Sequence, residues 1–170
     1  EDMYVISSFV EGDDVGTYAG TTNSLERSMY NFYQRISELP GVYIAQGKFL
    51  NQEYLDAVYG TYQHVPKKPF WYLKFSYNYL KDLGIPLSDE ELLEMRNGTR
   101  LYLLPNTLNT EELEVMKAYL QESVTVKPGD LQTNFTENQK FMFKVYQPSR
   151  PIFTWSDSIS YGTTSENPVI

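Results

Sequence analysis

The stretch NPVI, residues 167–170, follows an Asn-Pro turn signal with two apolar, β-branched side chains. Terminal segments are usually polar because their backbone is seldom held in place. Val169 and Ile170 instead favour extended backbone. The stretch MYVISSFV, residues 3–10, is also typical of a strand. We therefore expect a folded unit cut from a longer chain.

The composition is typical of one folded domain. The chain has 170 residues, of which 41% are hydrophobic and 15% aromatic, enough for an ordinary core. Its net charge of -8 and its scattered basic residues exclude nucleic acid as an expected partner, because phosphate groups would be repelled. The absence of cysteine excludes disulfides, thiolate catalysis and cysteine-type zinc sites.

Apolar spacing predicts an alternation of helices and strands. A helix is predicted at 23–39, where a capping box precedes one apolar stripe, and we expect that stripe to pack on a sheet containing residues 42–50. The stripe consists of Leu25, Met29, Phe32, Ile36 and Leu39. Further helices are predicted at 77–83, 89–95 and 110–123. Further strands are predicted at 70–76, 99–105, 124–126, 140–147 and 151–156.

The order strand, helix, strand occurs twice in this pattern, first at 3–50 and again at 99–126. Such repetition indicates an α+β fold with a ferredoxin-like, split βαβ lobe. We interpret residues 1–170 as a single domain with two lobes, whose boundary the sequence leaves open.

No residue set predicts catalysis, a cofactor or a metal. His64 is the one histidine, and it lies in a loop beside proline and lysine, without a G-x-S-x-G nucleophile turn. A zinc site would need further His or Cys ligands. The acidic loop EGDDVG, residues 11–16, lacks the ligand spacing of an EF-hand and is interpreted as a solvated turn.

The aromatic residues offer a candidate binding surface. Most of them are expected to fill a core. The segment YGTYQHVPKKPFWY, residues 59–72, is rich in turn residues and is expected to be exposed. Its candidate ligand-binding side chains are Tyr59, Tyr62, Phe70 and Trp71.

One segment resembles a known family. FSYNYLKDLGIPLSDEE, residues 75–91, is similar to a segment of the macrolide-exporter-type (MacB/FtsX-like) ABC permeases, although the Gly-Arg-x-Phe that usually follows there is absent. The matching residues are Ser76, Tyr79, Leu80, Leu83, Gly84, Ile85 and Leu87. The chain also resembles the extracellular segment of bacteriocin-associated integral membrane permeases, through short motifs at 4–12, 23–33, 152–155 and 167–170.

The resemblance implies a function without catalysis. The chain is expected to be an extracellular domain of a bacterial ABC-type permease, on the outer face of the plasma membrane, in antimicrobial-peptide or bacteriocin export or resistance. Flanking membrane helices would connect it to a separate cytoplasmic ATPase subunit, and its substrate would be a peptide or lipophilic molecule. The resemblance also implies a smaller inserted α/β lobe beside the βαβ lobe. Because both ends of the domain would have to reach the same bilayer, they are expected to lie on one side of it, within about 20–25 Å of each other. From the residues alone, two alternatives stay open: a secreted carbohydrate-binding module that uses the aromatic residues, and a hydrolase with two facing carboxylates.

Overall fold

The computed structural model describes residues 28, 31–33, 35–36, 39–125, 139–156 and 159–170. Its strands form three two-stranded ladders. The antiparallel pairs are β1 (Ala45–Leu50) with β2 (Phe70–Phe75) and β5 (Ile152–Phe153) with β6 (Thr164–Ser165), and the parallel pair is β3 (Arg100–Pro105) with β4 (Phe141–Tyr146). Described residues 28, 31–33 and 35–36 are helical. The helices that follow are α1 (Gln52–Val58), α2 (Tyr77–Asp82), α3 (Asp89–Arg96) and α4 (Thr110–Thr125), with a 3-10 turn at Ile159–Tyr161. The predicted α+β class is confirmed.

Residues 168–170, here called the tail segment, join the β1–β2 ladder and the β3–β4 ladder into one sheet. The Val169 N–H donates to the carbonyl of Trp71 at 2.9 Å, and the Leu73 N–H donates to the carbonyl of Val169 at 2.8 Å, so the tail runs parallel to β2. On its other side, Ile170 and Leu103 exchange both backbone hydrogen bonds, at 2.7 and 3.0 Å. That exchange is the pattern of an antiparallel pair. The resulting order is β1, β2, tail segment, β3, β4.

Side chains alternate across this sheet and build a core on each face. Val169 is 1% exposed and lies in the first core, whereas Ile170 is 7% exposed and lies in the second. The first core, against α1 and α4, consists of Leu50, Leu55, Val58, Tyr62, Tyr102, Leu104, Met116, Tyr119, Leu120 and Val169. The second core consists of Trp71, Leu73, Leu80, Leu83, Ile85, Leu87, Leu103, Tyr146, Ile152 and Ile170. The tail segment therefore contributes to both cores.

The segment between β2 and β3 folds as predicted, with two short helices. Ser76 is the N-cap residue of α2, and the turn after that helix places Gly84 at a φ of 76°, the left-handed region that favours glycine. Ser88 and Glu91 form a reciprocal capping box at the start of α3. Glu91 also binds Lys144 of β4 at 2.9 Å, which ties α3 to the sheet.

The predicted strand at 124–126 is wrong for its first two residues. Helix α4 continues through Val124 and Thr125, and Val126 lies outside the described residues. Residues 110–125 include no proline or glycine that would break the helix, and the strand preference of two β-branched residues is too weak to do so. The strand that completes this βαβ unit is β4, which pairs directly with β3.

The predicted apolar stripe at 23–39 is not buried as expected. Phe32 is 38% exposed and Leu39 is 48% exposed, so the prediction is wrong for these two side chains. Helical spacing shows which residues share a face, but it does not show whether another element covers that face. Leu25, Met29, the predicted strand at 3–10 and the expected proximity of the two ends lie outside the described residues.

Gly47 marks a close approach between β1 and the segment after β5. A Cβ atom at Gly47 would lie 1.6 Å from the carbonyl oxygen of Thr154, a residue that is 1% exposed. We therefore expect Gly47→Ala to displace backbone and to lower the free energy of unfolding by about 1–3 kcal/mol, measured by urea denaturation. An unfolding midpoint equal to that of the wild type would contradict this packing.

We expect Ile170→Ala to lower the free energy of unfolding by about 2–4 kcal/mol, because it empties a buried position between β2 and β3. The same denaturation series should include Val145→Ala, whose side chain is 52% exposed and whose loss should cost less than about 0.5 kcal/mol. Equal effects of the two substitutions would show that the tail segment is not part of the core.

Candidate ligand-binding cleft

A cleft of about 410 Å³ opens on the face of the sheet that carries the first core. This volume falls within the range of about 300–1,000 Å³ that is usual for small-molecule sites. Strands β1 and β2 form one side of the cleft, and α1 and α4 form the other. The lining residues are Gln46, Lys48, Leu50, Tyr54, Tyr62, Tyr72, Lys74, Tyr119, Leu120 and Ser123.

Strand periodicity places the polar side chains of the cleft. Alternate residues of β1 point to the same face, so Gln46 and Lys48 lie on the face of buried Leu50. The antiparallel register sets Lys48 opposite Tyr72, and Gln46 opposite Lys74. The two lysines are therefore diagonal neighbours on adjacent strands, a relation that separates their Cα atoms by about 7–8 Å.

Each of these lysines lies over a tyrosine ring. The Nζ atom of Lys48 is 4.8 Å from the ring centre of Tyr54, and that of Lys74 is 5.7 Å from the ring centre of Tyr72. Such cation–π contacts are worth about 0.5–1 kcal/mol at exposed sites, and they hold the ammonium groups at the cleft. Within the described part of the chain, neither ammonium group forms an ion pair with a carboxylate.

Tyrosine hydroxyl groups line the inner part of the cleft. Burial, together with the neighbouring Tyr54, to which it is hydrogen-bonded, raises the pKa of Tyr119 far above its usual value. Burial also raises the pKa of Tyr62, whose ring packs edge-on against Tyr119 with centroids 5.6 Å apart. These two phenols are therefore neutral at physiological pH and can donate hydrogen bonds.

The single histidine anchors the loop beside the cleft. The Glu122 carboxylate, next to Ser123 on α4, accepts hydrogen bonds from the backbone N–H groups of Gln63 and His64 at 2.7 and 3.2 Å. Its other oxygen lies 2.5 Å from Nδ1 of the His64 ring. Burial alone raises the pKa of Glu122, but the hydrogen bonds from His64 and Gln63 outweigh it and lower the pKa. The contact fixes the loop after α1 to α4.

The structure does not bring the four predicted ligand-binding aromatics onto one surface. Tyr62 is 5% exposed and lines the cleft, and Phe70 packs edge-on against Tyr119 in the first core. Trp71 is buried in the second core, on the opposite face of the sheet. Tyr59 follows the end of α1, is 79% exposed and is not among the residues that line the cleft. Adjacent strand residues such as Phe70 and Trp71 point to opposite faces, so a run of aromatics cannot form one platform.

Sequence reasoning missed most of the cleft. Lys48, Lys74, Tyr54, Tyr72 and Tyr119 were not predicted as site residues. The available signal was the alternation of residues 46, 48 and 50 and of residues 72 and 74, which places two lysines on the same face of neighbouring strands. The sequence could not show that α4 lines the cleft, because only tertiary packing brings this helix against β1 and β2.

Two further properties concern metals and membranes. Among the residues that the structure describes, no cluster of three or more His, Asp or Glu side chains could hold a metal ion. In the same part of the chain, no helix combines the length and the apolar character that crossing a bilayer requires.

Glu122→Gln tests the histidine contact through its pH dependence. A carboxylate whose pKa is lowered by folding stabilises the protein above its unfolded-state pKa, about 4.5, and loses that contribution as the pH falls through the folded-state pKa. We expect Glu122→Gln to be about 1 kcal/mol less stable than the wild type at pH 7, with the difference shrinking below about pH 4.5.

The matched control for this measurement is Glu114→Gln, on the same helix. Among the described residues, Glu114 pairs only with Lys117, one turn away, and its side chain is 67% exposed. Glu114→Gln should change the free energy of unfolding by less than about 0.5 kcal/mol, both at pH 7 and below about pH 4.5. A Glu122→Gln difference that is independent of pH would contradict an ionised carboxylate at this contact.

Comparisons with known proteins assign no family to this chain. No protein-family model matches it, and no curated protein or solved structure is significantly similar to it. The resemblance to MacB/FtsX-like permeases therefore stays a prediction.

Proposed function

We propose that this chain is a non-enzymatic extracellular domain of a bacterial ABC-type permease of the MacB/FtsX-like, bacteriocin-associated kind. The observation that carries the proposal is the structure of residues 76–88, which hold the residues that resemble that family. They form one continuous unit, a helix, a glycine turn and an extended stretch that ends in a capping box. The apolar residues of the resemblance in this unit, Leu80, Leu83, Ile85 and Leu87, are buried in the second core.

The contacts of His64 support the non-enzymatic part of the proposal. A Ser-His-Asp site would need a nucleophile at the ring nitrogen that faces away from the carboxylate, and no described residue forms a hydrogen bond with Nε2 of His64. Here the Glu122 carboxylate binds both the ring and the backbone N–H of His64, as well as the N–H of Gln63. That arrangement serves to hold a loop, and it gives the histidine a structural role.

The family resemblance extends the proposal to fold, location and partners. In this proposal the fold is a ferredoxin-like, split βαβ lobe, and the segment between β2 and β3 is the smaller inserted lobe. The domain lies on the extracellular face of the plasma membrane and is joined by membrane helices to a cytoplasmic ATPase subunit. Its task is the export of, or resistance to, an antimicrobial peptide or bacteriocin.

A secreted carbohydrate-binding module is less well supported. Sugar recognition by stacking needs open aromatic ring faces. The four aromatics predicted for that role do not share a surface, and at the cleft the ring faces of Tyr54 and Tyr72 already carry lysine ammonium groups. The permease domain is therefore the preferred function.

Cell fractionation tests the proposed location. In cells that express the native gene, the polypeptide that contains this chain should sediment with membranes, and protease added to intact cells should digest it. A cytoplasmic enzyme of the same cells, protected until lysis, is the control. After detergent extraction, an ATPase subunit should co-purify. Recovery of the polypeptide in the membrane-free cytosol, or its protection in intact cells, would contradict the proposal.

A further inference from the structure

The cleft carries positive charge that no carboxylate among the described residues neutralises. Lys48 and Lys74 are diagonal neighbours on adjacent strands, and in the described residues neither has a carboxylate partner. The chain as a whole carries a net charge of -8, so carboxylates are abundant, and yet these two cations are paired only with ring faces. Two like charges held at the opening of a cavity favour an anion between them.

The inner lining of the cleft shows what the rest of the ligand should be. Leu50 and Leu120 are 5% and 2% exposed and supply apolar lining, while Tyr62 and Tyr119 add ring edges and neutral hydroxyl groups. An apolar wall stabilises an apolar ligand body by removing it from water. A small inorganic anion would leave this wall without a partner.

We infer that the cleft binds an organic carboxylate whose body is apolar or aromatic and about the size of one amino-acid residue. The carboxylate lies between Lys48 and Lys74, and the body enters the space between the β1–β2 ladder and α4. This inference goes beyond the proposed function. It concerns the chain's own surface and does not depend on a membrane location, so either conclusion can fail without the other.

A titration of the isotope-labelled chain with N-acetyl-L-phenylalanine tests the inference. The acid should give saturable NMR shifts of backbone amides in β1, β2 and α4. N-acetyl-L-phenylalanine amide, which has the same body without the charge, should bind at least about tenfold more weakly. Inorganic phosphate, which has charge without the body, should also bind at least about tenfold more weakly than the acid.

Charge-neutralising variants connect the binding to the two lysines. The double variant Lys48→Gln, Lys74→Gln should weaken binding of the acid by about tenfold or more, and each single variant should have an intermediate effect. The matched control is Lys81→Gln, an exposed lysine on α2, on the other side of the sheet, which should leave the affinity unchanged. Lys48 and Lys74 are exposed, so their replacement should leave the fold intact. The amide spectrum of each variant reports directly whether it is folded.

Four results would overturn the inference. The first is the absence of saturable shifts with the acid, and the second is equal affinity for the acid and its amide. The third is equal affinity for phosphate, which would reduce the cleft to a simple anion site. The fourth is binding by the folded double variant that matches that of the wild type.

Discussion

The rest of the structure depends on the backbone hydrogen bonds of the tail segment. Without it, β2 and β3 would each present a row of unpaired N–H and C=O groups, which costs free energy when water is excluded. Val169 bonds to one of these strands and Ile170 to the other, and their side chains enter opposite cores. The buried hydroxyl group of Tyr146 adds a hydrogen bond to the carbonyl of Pro168 at 2.6 Å. A few residues thus determine how the two ladders are placed.

The cleft also depends on this junction, because its two sides belong to different ladders. Its lysines lie on β1 and β2, whereas Tyr119 and Ser123 lie on α4, which connects β3 to β4. The tail segment fixes the distance between those parts of the sheet. The bonds from Glu122 to the backbone of Gln63 and His64 then hold the loop after α1 against the same helix. Binding geometry and stability are consequently linked in this domain.

Local signals in the sequence were sufficient for much of the secondary structure. The capping box of Ser88 with Glu91 and that of Asn109 with Glu112 both form, since each needs only residues three positions apart. Predictions that depended on distant contacts fared differently. The exposure of Phe32 and the partners of β3 are both decided by which elements pack together. The sequence pattern contains no direct record of that packing, so most of the cleft could not be predicted.

The position of the tail segment has a consequence for the route by which the chain folds. Its partners, Trp71 and Leu103, lie far from it along the chain, so the central pairing of the sheet closes long loops at a large cost in chain entropy. Proteins dominated by such distant contacts fold slowly. During synthesis, β2 and β3 leave the ribosome well before residues 168–170, and their open edges are exposed during that interval. The domain is therefore most vulnerable to edge-to-edge aggregation before the tail segment has paired with β2 and β3.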